Sequence, residues 1–339
     1  MEIVFRKDIS SQQWNNYVAE LHDASFLYTS LAIDYYQTYS QYIVEDLSFV
    51  MLNNKKCRVC APLFLEEKDG LRIFASGGSF GPAPLVALDE RYKICERLMD
   101  NAMEAILEMA KQNRVKKIFM RLDPLVNPDA RHKIYNYNVL MKYGFENQSI
   151  TSRIVDLRLP ESELWTDFSQ GTRSRIQQGS KIYSAEWYNA ANITFDTFFI
   201  YQDMHRRAAG RVTRPTATFD LMLDWILQGN GFLHLLRFEN MYMNAVILYC
   251  YNGCAYYASS ADNPDFDFPK PAGHFAQWSI IGSLKKEGVT HYETGWQQFS
   301  QQPYDNPAAK DISISIYKSQ FGGYNAPLFR GVLSVAEAG

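Results

Sequence analysis

The chain lacks most of the features that fix a protein's class at a glance. It has no surplus of positive charge. Lys and Arg number 34 against 37 Asp and Glu, a formal net charge of −3, which argues against a protein that embraces nucleic acid along its whole surface but leaves room for a local basic patch. It has no apolar run long enough to span a bilayer. The start, Met1-Glu2-Ile3-Val4-Phe5-Arg6-Lys7-Asp8, lacks the pattern of a secretory signal, so the expected location is the cytoplasm. Cysteine is scarce and odd in number, five in all, which speaks against a disulfide framework. Cys57 and Cys60 form a CxxC, but in a strand-like run where residues three apart face opposite sides, and no second pair completes a zinc site. Cys250 and Cys254 flank a turn at Asn252-Gly253, whose two-residue hairpin pairs Cys254 with Tyr251. All five are read as free thiols, and no metal site is expected. The sequence has no G-x-S-x-G elbow and no convincing Ser-His-Asp spacing.

What is present is the composition of a folded protein, 47% hydrophobic and 21% charged, in 339 residues, enough for two domains. The 22 tyrosines suit a groove that must be apolar and hydrogen-bonding at once, and suit strands equally well. Periodicity then gives one order of elements twice. The first half has helices at Ser11–Leu21 and Ser30–Tyr39. A three-strand meander follows (Leu47–Leu52, Arg58–Glu66, Leu71–Ala75), then the Gly-rich stretch Ser76–Pro82, a helix from Asp89 to Asn113 and a strand at Val115–Leu122. The second half has helices at Glu161–Gln178, Phe195–Ala209 and Thr218–Leu227. Its meander is Phe232–Phe238, Tyr242–Cys250 and Ala255–Ser259. A loop rich in Asp and Pro, a helix Gly273–Glu287 ended by Gly288, and a strand Thr290–Glu293 complete it. The boundary falls near Gln148–Arg153, giving domains 1–150 and 151–339. The copies repeat in pattern only.

Five segments of the second half, in order, carry a family resemblance. Arg173-Ser174-Arg175-Ile176-Gln177-Gln178-Gly179-Ser180-Lys181 looks like "R-x-x-I-x-x-A-x-K", with Gly179 in place of Ala. Tyr256-Tyr257-Ala258-Ser259-Ser260 looks like the strand before an acidic, proline-containing loop, and Ala276–Ile281 like the helix beyond it. Tyr292-Glu293-Thr294-Gly295 resembles "[YF]-[DE]-x-G-G", with Trp296 for the second Gly. Ile316-Tyr317-Lys318-Ser319-Gln320-Phe321-Gly322-Gly323 matches "F-K-x-x-F-G", with Tyr317 in the Phe position. Together they resemble the FemABX family. In the first half only Phe80-Gly81-Pro82 adds a cue. The resemblance implies an α/β chain with a tandem duplicated GNAT (acyl-CoA N-acyltransferase) fold, two mixed, mostly antiparallel sheets flanked by helices. It also implies an acyltransferase that acts on an amine. The best-known members of the family use aminoacyl-tRNA to build the peptide bridge of peptidoglycan precursors, and related proteins are associated with acyl-thioester donors in polysaccharide pathways.

The reading is therefore an N-acyl or aminoacyl transferase. Its acceptor is the amino group of a nucleotide- or lipid-linked amino sugar or muropeptide. Its donor is a co-substrate, aminoacyl-tRNA or acyl-CoA, with no tightly bound cofactor and no DNA. Peripheral contact with the inner membrane face is allowed. The alternatives are a GNAT enzyme dependent on acyl-CoA or acyl-carrier protein that modifies an amino sugar, and an inactive binding module of the same fold. Direct transfer needs a deprotonated amine, stabilisation of the carbonyl oxygen and alignment of the two. Lys318 is the candidate cation at the carbonyl or a phosphate. Glu293 is the candidate acceptor of the amine proton, and His274 and His291 are weaker bases. Tyr256 and Tyr257 line the expected groove. Arg206, Arg207, Arg211 and Arg214 form the densest basic segment, with Arg173, Arg175 and Lys181 a second one, both suited to phosphate and both also consistent with solvated helix faces. The standard [QR]-x-x-G-x-[GA] loop for CoA is absent, and Ser76–Gly81 occupies its place in the first copy without its spacing.

Overall fold

The structure, a computed structural model, describes residues 1–88, 91–126, 128–129, 133–266 and 271–335. The chain forms two units: Met1–Ile150 together with the chain from Pro327 onward, and Thr151–Ala326. The first contains β1 (Glu2–Phe5), α1 (Ser11–Ala19), α2 (Ser30–Tyr39), β2 (Ile43–Asp46), β3 (Phe49–Asn53), β4 (Lys56–Ala61), β5 (Phe64–Lys68), β6 (Leu71–Phe74), β7 (Gly81–Pro82), β8 (Leu85–Val86), α3 (Tyr92–Gln112), β9 (Lys117–Arg121) and β10 (Glu146–Asn147). There follow β11 (Ile150–Asp156), α4 (Glu161–Asp167), α5 (Gln170–Gly179), β12 (Ser184–Tyr188), α6 (Phe195–Ala209), α7 (Thr216–Leu227), β13 (Gly231–Phe238), β14 (Met241–Tyr251), β15 (Cys254–Asp262), α8 (Ala272–Lys286), β16 (His291–Gln297), α9 (Ala309–Lys318), β17 (Tyr324–Leu328) and finally β18 (Arg330–Ser334). No described helix is long and apolar enough to cross a membrane. All five cysteines are buried thiols outside any disulfide.

In the first unit the expected strand Arg58–Glu66 is two strands. Pro62 has no N–H to give a ladder, and the chain changes sheet there. β4 joins a four-stranded sheet in the order β1-β3-β4-β8, and β5 joins a seven-stranded one in the order β10-β18-β9-β6-β5-β2, with β7 beside β9. The end of the chain, expected with the second half, belongs here because β18 pairs antiparallel with β9 along Arg330–Ser334. α3 presents Cys95, Leu98, Met99, Ala102, Met103, Ile106 and Met109 to the core, the 3.6-residue stripe expected of a half-buried helix. Its expected first residue, Asp89, lies outside the described residues. The Gly-rich stretch is not an open anion loop, because the Gly78 amide donates to the buried Glu66 carboxylate at 2.9 Å.

The second unit is built on one seven-stranded sheet, in the order β12-β13-β14-β15-β16-β11-β17. Val246, Leu248 and Cys250 of β14 face a core with Ile176 of α5 and Ile280, Ile281 and Leu284 of α8. Tyr249, between them, points the other way and meets Trp225 of α7 edge-on, as strand alternation requires. The expected helix Glu161–Gln178 is broken in two. Phe168 is extended and buried, and the Ser169 hydroxyl then caps a new helix by accepting the Thr172 amide.

Gly179, the departure from the family's alanine, lies where α5 crosses α8. A methyl group there would stand 2.7 Å from Phe275 Cβ and 3.2 Å from the Pro271 carbonyl oxygen. Alanine gains about 1 kcal/mol over glycine in a helix, but overpacking costs about 1–3 kcal/mol, and a Cβ cannot swing aside. Gly179→Ala is expected to lower the urea midpoint, and a raised midpoint would contradict this packing account.

His234 on β13 is fully buried, and neither ring nitrogen has a hydrogen-bond partner among the described residues. Burial pushes its pKa down from 6.5 to about 3. Above pH 6.5 the ring is neutral folded or unfolded and contributes nothing to pH dependence. Below it, the unfolded chain takes up a proton that the folded chain refuses, so stability falls by up to about 1.4 kcal/mol per pH unit. Urea midpoints measured from about pH 7 to pH 4 should drop steeply for the wild type and less steeply for His234→Leu. Parallel slopes would rule out His234 as the cause.

Candidate active site

The sheet of the second unit opens in its middle. β15 and β16 are parallel and pair only at Cys254 with His291, Ala255 with Tyr292 and Tyr256 with Glu293. Beyond this point β15 stays with β14 as far as Asp262, and β16 stays with β11 as far as Gln297. The cause is local. The β14–β15 register shifts between Ile247 and Leu248, leaving Ala258 as an extra residue. The β11–β16 register shifts between Arg153 and Ile154, leaving Thr294 as another. Bulges bend the strand that carries them, and these two follow the last paired residues closely. In the first unit the corresponding parallel pair, β6 with β9, is prolonged by β7, where Gly81 faces Met120 and Pro82 faces Arg121.

α9 delivers Lys318 to the opening. The Asp311 carboxylate accepts the Ala308 amide at the start of this helix, at 3.0 Å, and Lys318 is its last residue. The Lys318 Nζ lies against the Cα of Gly295: a methyl on Gly295 would stand 2.6 Å from Nζ and 3.8 Å from the Tyr256 hydroxyl oxygen. Gly295 also has φ +108°, a backbone conformation open in practice to glycine alone. The ammonium sits 5.9 Å from the centroid of the Tyr257 ring, within range of a cation–π attraction. Burial lowers its pKa below the usual lysine value, and the charge of Glu293 opposes that shift. Glu293 is itself buried and accepts a hydrogen bond from Ser152 of β11, which is fully buried.

A cleft of about 920 Å³ adjoins this cation, and its lining includes Arg175, Tyr257, Asp262, His274, Tyr317 and Lys318. All of its lining residues belong to the second unit. Asp262 is exposed, and its carboxylate accepts from the Asn244 side-chain amide at 2.8 Å. Gly273 at the start of α8 leaves room for the Tyr317 hydroxyl, which a methyl there would meet at 2.5 Å.

The sequence candidates fall into three groups. Lys318, Tyr257, Arg175 and His274 share the cleft. Glu293 and Tyr256 lie behind it, paired across β15 and β16, with Tyr256 stacked on Tyr249 at 4.9 Å. The remainder lie outside the cleft lining. Arg173 donates to the carbonyls of Trp165, Thr166 and Phe168, closing the end of α4. Arg207 pairs with Asp203 and with Asp265, in the loop after β15. Arg206 bonds Thr216 and, like Arg214, stacks on Phe219. Arg211 is exposed and lines no part of the cleft. His291 is buried at the paired end of β16, bonded to Thr290. Ser152 and Gln320 were missed. Gln320 lies inside the Ile316–Gly323 motif but no pattern marks it for the site, and no local signal marks Ser152.

Comparison with known proteins bears on the fold. No family model matches the chain, and no curated protein does. Solved structures do. The crystal structure of FemX superposes with a TM-score of 0.68 over 98% of each chain at 14% identity. A tandem GNAT protein from the clavulanic acid biosynthesis pathway superposes with a TM-score of 0.51 over 100% of each chain at 12% identity. This chain has a tandem GNAT fold. The C-terminal domain of a putative lysylphosphatidylglycerol synthetase from Agrobacterium fabrum shares it, with a TM-score of 0.60 over 95% of this chain and 92% of that one at 12% identity. In this tandem GNAT chain the β15–β16 pair of the second unit parts beyond Tyr256 and Glu293, while in the first unit β7 prolongs the equivalent pair.

Proposed function

We propose that the second unit transfers an acyl or aminoacyl group directly to the amino group of a cell-envelope glycan or peptidoglycan precursor. The observation that carries this reading is the Lys318 ammonium, half-buried at the opening of β15 and β16 beside a cleft of substrate size. As an amine attacks an acyl carbonyl, negative charge gathers on the carbonyl oxygen. A preplaced cation in a poorly solvated site stabilises that charge without reorganising. Glu293 offsets the cost of holding Lys318 charged, and Ser152 fixes Glu293. At the rim, the exposed Asp262 offers a counter-ion to an incoming ammonium, and Arg175 and Lys310 offer cations to a phosphate. The FemABX-like motifs and the fold shared with FemX favour aminoacyl-tRNA as donor.

The test is a donor and acceptor screen by mass spectrometry. Purified protein is supplied with charged tRNAs or acyl-CoAs, and with UDP-linked amino sugars or muropeptides. An acceptor mass gain that requires charged tRNA and is abolished by RNase establishes the aminoacyl reading. A gain from acyl-CoA alone replaces it with a thioester-dependent enzyme. No gain from any pair overturns both in favour of a binding module.

A further inference from the structure

Direct transfer also needs a base, and Glu293 is badly placed for one: it is buried, bonded to Ser152, and not part of the cleft lining. We propose that His274, through Nδ1, is the general base that takes the proton from the acceptor amine. This rests on the acyl-transfer reading above.

The geometry determines which nitrogen is available. His274 is the third residue of α8 and lines the cleft. Its ring meets Tyr317 edge-on, with centroids 5.4 Å apart, and lies tilted against Phe321 at 5.6 Å. Its Nε2 lies 3.1 Å from Gln320 Oε1, and Arg175 reaches the same oxygen at 3.3 Å. An arginine N–H can only donate, so Gln320 must present its oxygen to Arg175. Arg175 Nη1 also lies 3.5 Å from Nε2, but its contact with the Gln320 oxygen is the shorter one, and with Arg175 donating there the nitrogen of His274 facing that oxygen carries the hydrogen. The neutral ring is thus the Nε2–H tautomer, which leaves the lone pair on Nδ1. Nδ1 has no hydrogen-bond partner among the described residues.

The surroundings keep this ring neutral. Among the described residues, Arg175 from α5 and Tyr317 from α9 meet the ring, and the other titratable groups of the cleft are Tyr257 and Asp262 from β15 and Lys310 and Lys318 from α9. Burial lowers the His274 pKa and Arg175 adds to the effect, while the bond to Gln320 works against them. The N-terminal end of α8 also disfavours a cation there.

The step balances without an added reagent. The incoming ammonium first loses one proton to solvent. The neutral amine nitrogen then bonds to the acyl carbon, and His274 Nδ1 takes one N–H proton as the nitrogen becomes positive. The carbon–oxygen bond to a ribose, or the carbon–sulfur bond of a thioester, then breaks, and the imidazolium returns the proton to the leaving atom.

The decisive experiment is imidazole ¹⁵N NMR on the full chain labelled at histidine, with His274→Gln to assign one of the six histidines. The Nε2–H tautomer with a midpoint below 6.5 is expected, rising in Arg175→Gln, and with tautomer preference lost in Gln320→Leu. An Nδ1–H ring, or a midpoint at or above 6.5, would overturn the proposal. Rates on the donor and acceptor panel separate it from the reading beneath it. His274→Gln should slow transfer by about 10²–10⁴-fold. If Lys318→Ala abolishes transfer and His274→Gln does not slow it, His274 is not the base and the acyl-transfer reading stands. If neither substitution changes transfer, that reading itself falls.

Discussion

Lys318→Ala is expected to lower turnover by about 10²–10³-fold, or roughly 3–4 kcal/mol of transition-state stabilisation, while the far-UV circular dichroism stays unchanged. Loss of kcat, rather than a rise in KM, is the signature of a charge used mainly in the transition state. Lys318→Met, which keeps the stem but not the ammonium, should be as inactive as the alanine variant. Lys318→Arg should not restore activity, because the ammonium fits a space bounded by the Cα of Gly295 and a planar guanidinium is wider. The pH dependence has a fixed sign. Burial lowers the Lys318 pKa, so the useful cation is lost as pH rises through a midpoint below the usual 10.5. The wild-type rate should fall on that alkaline limb, and the residual rate of Lys318→Met should not. A Lys318→Met enzyme with near-normal kcat would remove the cation from the mechanism.

Much of the fold could be read because its local signals agree with its tertiary demands. The helices Ser30–Tyr39 and Phe195–Ala209 start at capping threonines, Thr29 and Thr194, and carry apolar residues at helical spacing. What escaped was non-local. β18 pairs with β9 across some two hundred residues, and nothing within Arg330–Ser334 names its partner. The bulges at Ala258 and Thr294 that part β15 from β16 are properties of register between strands, invisible in either strand alone. The basic segment Arg206–Arg214 was the opposite case. Its density suggested phosphate binding, yet Arg207 is tied to Asp203 and Asp265, and Arg206 and Arg214 lie on Phe219. A count of charges does not reveal which of them are already committed to neighbours.

One methyl group at Gly323 is expected to destabilise the chain by about 4 kcal/mol or more, the range reserved for a clash that cannot relax. The methyl of Gly323→Ala would stand 2.1 Å from the Ile154 carbonyl oxygen, 2.8 Å from its carbon and 3.0 Å from Val155 Cα. All three atoms are backbone of β11, which is held in the sheet between β16 and β17, so the strand has nowhere to retreat. The positive φ of +76° adds strain. Gly322 is the natural control. It has a similar φ of +67°, but a methyl there meets first the carboxylate end of Asp167 at 2.6 Å, a side chain that can rotate away at the expense of its bond to the Gly323 amide. Gly322→Ala should therefore cost about 1–2 kcal/mol. Urea unfolding of the two variants separates the causes: equal losses would mean that positive φ decides, and a much larger loss at Gly323 that the approach to β11 does. The same turn leads out of α9, so Gly322→Ala should also retain most of its turnover while any folded Gly323→Ala should not, because a displaced α9 carries the Lys318 ammonium away from Gly295.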